Sequence, residues 1–335
     1  MDKIRGVNLG GWFVLERWMT KELFKDNSVT GKDETKFNEQ VANKEEILNH
    51  HYETFITKDD LIWIKDNGLN LVRIPIPWWL YGEGGYHKSI DYIDRALKWC
   101  EELKLPFMLD LHTAPGCQNG FDNGGIEGVL DWPKKQEYID KTIEILVRVT
   151  DRYKDNVMFD SICVLNEPFL TIDKAIVDKF YIDSYHAIRK VSKDLTIVFH
   201  DSFRLKQWEE FFKENIFHNV ILDAHLYQCF TESSGRMNLE QHINAALSRK
   251  DRLQKVSAFV EVIVGEWSLG LRKNETITDE TMNDAMTKYA QAQLEGMREC
   301  KGHTFWSYKV TDDKGGWHFK SLIENGIIKL DEFLK

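Results

Sequence analysis

Two glutamates each close a β-rich run, Glu167 in VLNEPF and Glu266 in VIVGEWSLG. A carboxyl beside an apolar run is expensive to bury unless it is paired, so both positions call for a reason. Two carboxyls flanking a cleft are what hydrolysis of a glycosidic bond uses. One protonates the leaving oxygen and the other attacks, or stabilises, the oxocarbenium-like centre. The two must hold different protonation states at one pH, so their surroundings must differ. Arg73 near one of them would keep it ionised, because an opposite charge within reach lowers a carboxyl pKa. The other, in a less charged setting beside the amide of Asn166, would be free to keep its proton. Spacing leaves open which is which.

The elements that position these residues are legible as eight β-like runs. They are Ile4–Leu9, Leu69–Ile76, Pro106–His112, Phe159–Asn166, Thr196–Asp201, Val220–Tyr227, Phe259–Trp267 and His303–Lys309. Several are almost continuously apolar, as strands buried on both faces are. Amphipathic segments alternate with them. Ile139, Ile143, Leu146, Val149 and Tyr153 mark one helix face, opened by Pro133 in the first turn. Further helices are expected over Lys58–Asn67, Ile90–Leu103, Asp173–Val191, Leu239–Val256 and Asp279–Cys300. No Pro/Gly/Ser-rich linker interrupts the alternation, so the fold class is α/β, a single (β/α)8 TIM barrel over residues 1–335. An open doubly wound sheet would want a GxGxxG turn after its first strand, and Gly6, Gly10 and Gly11 do not have that spacing. The polar stretch from Lys25 to Asn49 reads as an irregular loop insertion after the first strand. In a barrel, chemistry gathers at the C-terminal strand ends. Those ends carry Asn8 with Glu16 beyond it, Arg73, His112, Asn166 with Glu167, His225 with Tyr227, Glu266, and Trp306.

Composition narrows the partners. The formal charge is −10 and no run of Lys and Arg stands out, which disfavours nucleic acid. Eleven Trp and eleven Tyr supply flat rings for the core or for stacking on sugar faces. Five scattered cysteines without CxxC spacing indicate a reducing compartment and no structural zinc. MDKIRGVNLGGW lacks a basic segment followed by an apolar one, and no apolar run approaches the ~18 residues of a membrane span. A cytoplasmic monomer without a membrane partner is expected, or a secreted one if a leader precedes the chain.

Seven blocks in order resemble glycoside hydrolase family 5, in the group that contains the exo-β-1,3-glucanases. They are GVNLGGWFVLERWMT, HHYETFITKDDLIWIKDNGLNLVRIPIPWW, DLHTAPGCQNGFDNGG, VLNEPF, LDAHLYQCF, VGEWSLGL and AQLEGMRECKGHTFWSYKVTDDKGGWHFKSLIENG. The resemblance implies that Glu167, in Asn-Glu-Pro, is the acid/base and that Glu266, in Gly-Glu-Trp, is the nucleophile. It implies that Arg73 and Tyr227 orient the nucleophile, that His112 and His225 line the site, and that Asn166 binds the sugar 2-hydroxyl. It also implies Trp306 as the floor under that sugar and Glu16 as the partner of outer hydroxyls on the non-reducing-end glucose. Phe121 and Phe230 would clamp the acceptor sugar, and Asp122 joins Phe121 among the substrate contacts. The family retains anomeric configuration through a covalent glycosyl-enzyme, which asks for carboxyls about 5–5.5 Å apart, with no metal or organic cofactor. The implied substrate is a β-glucan oligosaccharide or a small β-glucoside.

Pro77, Trp78, Thr113, Cys117, Leu226 and Arg17 depart from the exo-glucanase pattern beside the pocket, where they bear on which glucoside is preferred. An endo-β-glucanase or a hydrolase of lipid-linked β-glucosides is the alternative within the family. A non-catalytic sugar-binding barrel is the alternative of another class, and a binder has no need of the carboxylate pair.

Overall fold

A computed structural model describes residues 3–312 and 315–335. Its strands are β1 Ile4–Asn8, β2 Leu71–Ile76, β3 Phe107–Leu111, β4 Phe159–Cys163, β5 Thr196–His200, β6 Val220–Leu226, β7 Glu261–Trp267 and β8 Gly302–Phe305. Each pairs in parallel with the next, and β8 returns to β1 with Gly302 opposite Ile4 and Phe305 opposite Val7, so the sheet closes into a barrel. Seven strands fall inside the runs expected from sequence. β8 starts one residue earlier and stops at Phe305.

Alternation along the strands sorts the side chains by height. Ile4, Leu71, Met108, Cys163, Val198, Ile221 and Ile263 form one buried cluster near the N-terminal ends. Two residues further on, the same face carries Arg73, Asp110, His200 and Asp223, all fully buried, and two further still come Asn8, His112 and His225. A dry plug therefore supports a polar layer. The opposite faces, with Val7, Val72, Leu109, Ile162, Ile197, Leu222 and Val262, pack under the helices. Burying each such aliphatic side chain contributes about 1.5–3 kcal/mol.

The helix over Ile90–Leu103 forms as expected, and those at Lys58–Asp66, Lys174–Arg189 and Met282–Met297 start or stop slightly inside their expected bounds. Thr57 closes a capping box with Asp60, which fixes where the Lys58 helix begins. Three expectations change. The segment from 25 to 50 is not irregular: helices at Lys21–Asp26, Glu34–Gln40 and Lys44–Thr54 occupy it. Few apolar residues mark them, chiefly Phe24, Phe37, Leu48 and Tyr52, all fully buried, and the Asp33 carboxylate caps the second by accepting from Lys36 N–H at 2.8 Å. The span Leu239–Val256 is two helices, Leu239–Leu247 and Arg249–Ser257, separated at Ser248. Pro133 sits in its own 3-10 turn, Trp132–Lys134. Lys135 is extended, and the helix runs from Gln136 to Tyr153.

The 44–54 helix braces the loop after β1 through His51, whose buried Nε2 donates to the Gly11 carbonyl at 2.8 Å. Burial pushes the His51 pKa down to about 4. The unfolded chain protonates this group near pH 6.5 while the folded one holds it neutral, so stability falls as pH drops from about 6.5 to 4. This group alone accounts for a loss on the order of 3 kcal/mol. Urea unfolding across that window should show a shallower loss for His51→Gln than for the wild type. Identical slopes would contradict the assignment.

Candidate active site at the C-terminal mouth of the barrel

Strict alternation from Ile263 would turn Glu266 outward, because Gly265 already takes the inward position. A β-bulge corrects this. Asp223 pairs with Ile263 and His225 with Glu266, two residues of β6 against three of β7, and β8 records the same extra residue between Val264 and Trp267. Only glycine fits the bulge: a β-carbon on Gly265 would lie 2.2 Å from Asp223 Oδ2. The bulge is held by Gly265 N–H donating to Asp223 Oδ1 at 2.6 Å and by Asn8 Nδ2 donating to the Gly265 carbonyl at 2.8 Å.

Re-aimed in this way, Glu266 receives Arg73 Nη1 at 2.9 Å on one oxygen and the Tyr227 hydroxyl at 2.8 Å on the other. Arg73 also donates to Asn8 Oδ1 and to Asn166 Oδ1, each at 2.9 Å, and lies 3.1 Å from Asp110. Burial opposes its charge, but Asp110, Glu266 and Asp223 outweigh burial and push its pKa up. The expectation that the Asn166 amide governs the proton of Glu167 changes, because Asn166 Oδ1 accepts from Arg73.

Glu167 instead pairs with His225. Its Oε1 lies 2.7 Å from His225 Nδ1, and its Oε2 accepts from Asn123 Nδ2 at 2.9 Å. Burial raises its carboxyl, yet the bond to His225, the imidazole charge and Asn123 bring it below the usual range. Burial, joined by the Glu167 charge, raises Glu266 against the opposing pull of His225 and Arg73. His225 resists its own burial because Glu266 and Asp223 face it, and its pKa rises. Its Nδ1 is also 3.4 Å from Glu266 Oε2, so one imidazole nitrogen lies within reach of both carboxylates.

The turn that presents Glu167 departs from regular structure. Asn166 N–H still bonds to Leu111 of β3 at 2.9 Å, Glu167 adopts a φ of +47°, Pro168 has no N–H, and Phe169 N–H bonds to the Gln118 carbonyl at 3.1 Å. A left-handed glutamate costs about 1–3 kcal/mol and persists because both flanks are pinned.

The remaining expected residues surround this pair. His112 stacks on Trp306 with centroids 5.4 Å apart and an interplanar angle of 7°, and its Nδ1 lies 2.6 Å from Asp110. Gly10 makes room for the Trp306 ring, which a β-carbon there would approach to 2.7 Å. Glu16 is buried, accepts from Trp18 Nε1 at 2.9 Å, and is raised by burial and by Asp122. Asp122 is itself raised by burial. Phe121 and Phe230 stand at the rim, 40% and 67% exposed. Phe121 contacts Phe169, and Phe230 contacts Tyr227 and Trp317. Among the described residues no ring contact joins Phe121 to Phe230. Sequence reasoning missed Asn123, Asp110, Asp223, Trp18 and Trp317. Asn123 sits in a loop rather than at a strand end, although the NGFDNGG block contained it. The Asp110–His112 alternation was a signal that could have found the first aspartate.

Glu167, His200 and His225 bring potential ligand atoms within 4.8 Å of one another. His200 Nδ1 accepts from Ser202 N–H at 2.9 Å, so its Nε2 carries a hydrogen. Neither nitrogen offers a free lone pair, and the trio does not fit a cation.

A family profile described as cellulase (glycosyl hydrolase family 5) matches residues 31–311. The probable glucan 1,3-beta-glucosidase A of Emericella nidulans is 32% identical, over 97% of this chain and 90% of its own length. The chain belongs to glycosyl hydrolase family 5. A glucan 1,3-beta-glucosidase of Blumeria graminis is also 32% identical, over 98% of this chain and 87% of its own. Among solved structures, the rutinosidase from Aspergillus niger superposes with a TM-score of 0.85 at 20% identity, covering 98% of both chains. Endo-glycoceramidase II from Rhodococcus sp. gives 0.54 at 18% identity, over 78% of this chain and 69% of that one. At these identities the structural likeness speaks for the barrel alone. As a family 5 member the protein is a retaining O-glycosyl hydrolase of β-glycosides.

In this family 5 enzyme Gly265→Ala should destabilise the fold by about 1–3 kcal/mol by forcing the Asp223 carboxylate aside. It should also lower kcat on any β-glucoside, because Glu266 is re-aimed. Denaturant midpoints and kinetics check both effects. A variant with wild-type kcat would contradict the role given to the bulge.

Proposed function

We propose that the protein is an exo-acting β-glucosidase that removes glucose from the non-reducing end of β-1,3-linked gluco-oligosaccharides or short β-glucosides. Glu266 is the nucleophile and Glu167 the acid/base. The observation that carries this reading is the opposition of the two carboxylates across His225, with Arg73 and Tyr227 both committed to Glu266. The β-1,3 linkage rests on the printed names of the relatives. Exo action is supported by Glu16, buried beside Trp18 with its Oε1 unpartnered, as a partner for outer sugar hydroxyls.

In the first half-reaction Glu167 protonates the glycosidic oxygen while Glu266 attacks the anomeric carbon. The C–O bond to the acceptor breaks and a glycosyl ester forms. In the second, Glu167 takes a proton from water, which attacks the same carbon, expels Glu266 and yields the β anomer. Chemistry needs the proton on Glu167 and the charge on Glu266, and the donors committed to Glu266 favour that charge. His225 Nδ1, 2.7 Å from Glu167, can give its proton to that carboxyl. The hydroxyl of Tyr227 and the guanidinium of Arg73 hold the charge on Glu266.

A soluble monomer in a reducing compartment, the cytoplasm, completes the reading. Five free and buried cysteines support the compartment, and no helix among the described residues is long and apolar enough to cross a membrane.

NMR of the first product from an aryl β-glucoside and from laminari-oligosaccharides tests the proposal. Glucose released first as the β anomer is expected. Initial α-glucose would overturn retention, and internal fragments would point to endo action. Glu167→Ala should lose about 100-fold or more on oligosaccharides and much less on a substrate whose leaving group needs no proton. Equal losses on both would contradict the acid role.

A further inference from the structure

A cavity of about 380 Å3 opens beside the strand ends of β5 and β6, with His225 and Leu226 in its wall. His225 holds the acid/base, so the cavity adjoins the acceptor side of the catalytic centre as read above. Its charge is unlike that of the protein. Arg204, Lys206, Arg249 and Arg252 line it, and among the described residues none of them makes an ion pair with a carboxylate, although the chain as a whole carries −10. The sequence shows no basic run because these four come from two separate connections, one after β5 and one before β7.

Asp201 is the one acidic residue in the lining. It is buried, accepts from Phe203 N–H at 2.8 Å, and burial pushes its pKa up to about 7, so at neutral pH it carries only part of a charge against four cations. Arg204 spends its Nη2 on the carbonyls of Phe169, Leu170 and Ile172, which ties the loop after Glu167 to this cavity. Its Nε is buried without a partner.

Two further observations point from the catalytic rim into the same place. Phe121, Phe169 and Phe203 form a run of rings with successive centroids 5.1 and 6.3 Å apart, and Phe121 and Phe203 are 40% and 37% exposed. Ser202 and Phe203 also adopt φ values of +50° and +56°, a left-handed pair that is rare for non-glycine residues and rarer for a bulky ring. The left-handed pair sets the Phe203 ring against Phe169 and His200 at the edge of the basic cavity and leaves 37% of the residue exposed.

We propose that the Phe121–Phe169–Phe203 track and the basic cavity form an extended acceptor site for a β-glucoside whose aglycone ends in an anionic group, a carboxylate or a phosphate monoester. The rings stack on the acceptor sugars, and Lys206, Arg252 and Arg204 receive the anion. This rests on the β-glucosidase reading, and its test separates the two.

The probes are laminaritriose and laminaritetraose ending in a neutral alditol, an aldonate or a 1-phosphate. For each enzyme kcat/KM of the anionic form is divided by that of the alditol. For the wild type at low ionic strength the ratio should be about fivefold for at least one anion, and the arm that shows it identifies carboxylate or phosphate. Lys206→Ala with Arg252→Ala should bring it to about one, as should salt near about 0.5 M. A wild-type ratio of one for both anions and both lengths, or a ratio unchanged in the double variant, overturns the proposal. Hydrolysis of the alditols in that case leaves the β-glucosidase reading intact, whereas no turnover of any β-glucoside would contradict that reading instead.

Discussion

The guanidinium of Arg73 is the constraint on which the site depends. It stands fully buried inside the barrel with Asp110, Asp223 and Glu266 around it, three carboxylates that could not share a dry layer without it. Removing one partner of such a buried set typically costs about 3–5 kcal/mol, because the remaining charges are left uncompensated. The same cation fixes Asn8 and Asn166 by hydrogen bonds. One side chain therefore sets the charge of Glu266, the orientation of the Asn8 and Asn166 amides, and the polar layer above the apolar plug.

Around that centre the backbone is bent where chemistry requires it. The bulge at Gly265 turns Glu266 into the barrel, and the left-handed turn at Glu167 sets the second carboxyl opposite. Each departure is held by its neighbours, Asp223 and Asn8 at the first, Leu111 and Gln118 at the second. His225 couples the two, so the protonation of either glutamate is a property of the trio.

Much of this was legible in the sequence. Apolar runs marked every strand, and the polar residues within or just beyond them brought Arg73, His112, Asn166, His225 and Glu266 to one barrel. What stayed hidden was non-periodic or non-local. A bulge leaves no periodic trace, so the direction of Glu266 was not readable. The charge partner of Glu167 was sought in its neighbour Asn166 and proved to be His225, two strands away. Asn123 escaped because loops carry no register, and the helices between 25 and 50 escaped because each buries only one or two apolar residues. The basic cavity is assembled from positions more than forty residues apart and has no signature in a charge run.

The central claim is that Glu266, not Glu167, forms the bond to sugar. Incubation with a 2-deoxy-2-fluoro-β-glucoside carrying an activated leaving group, followed by proteolysis and peptide mass spectrometry, tests it most directly. The account predicts a fluoroglucosyl adduct on the peptide that contains Glu266, absent in Glu266→Gln. An adduct on Glu167, or steady turnover with no adduct at Glu266, would contradict it.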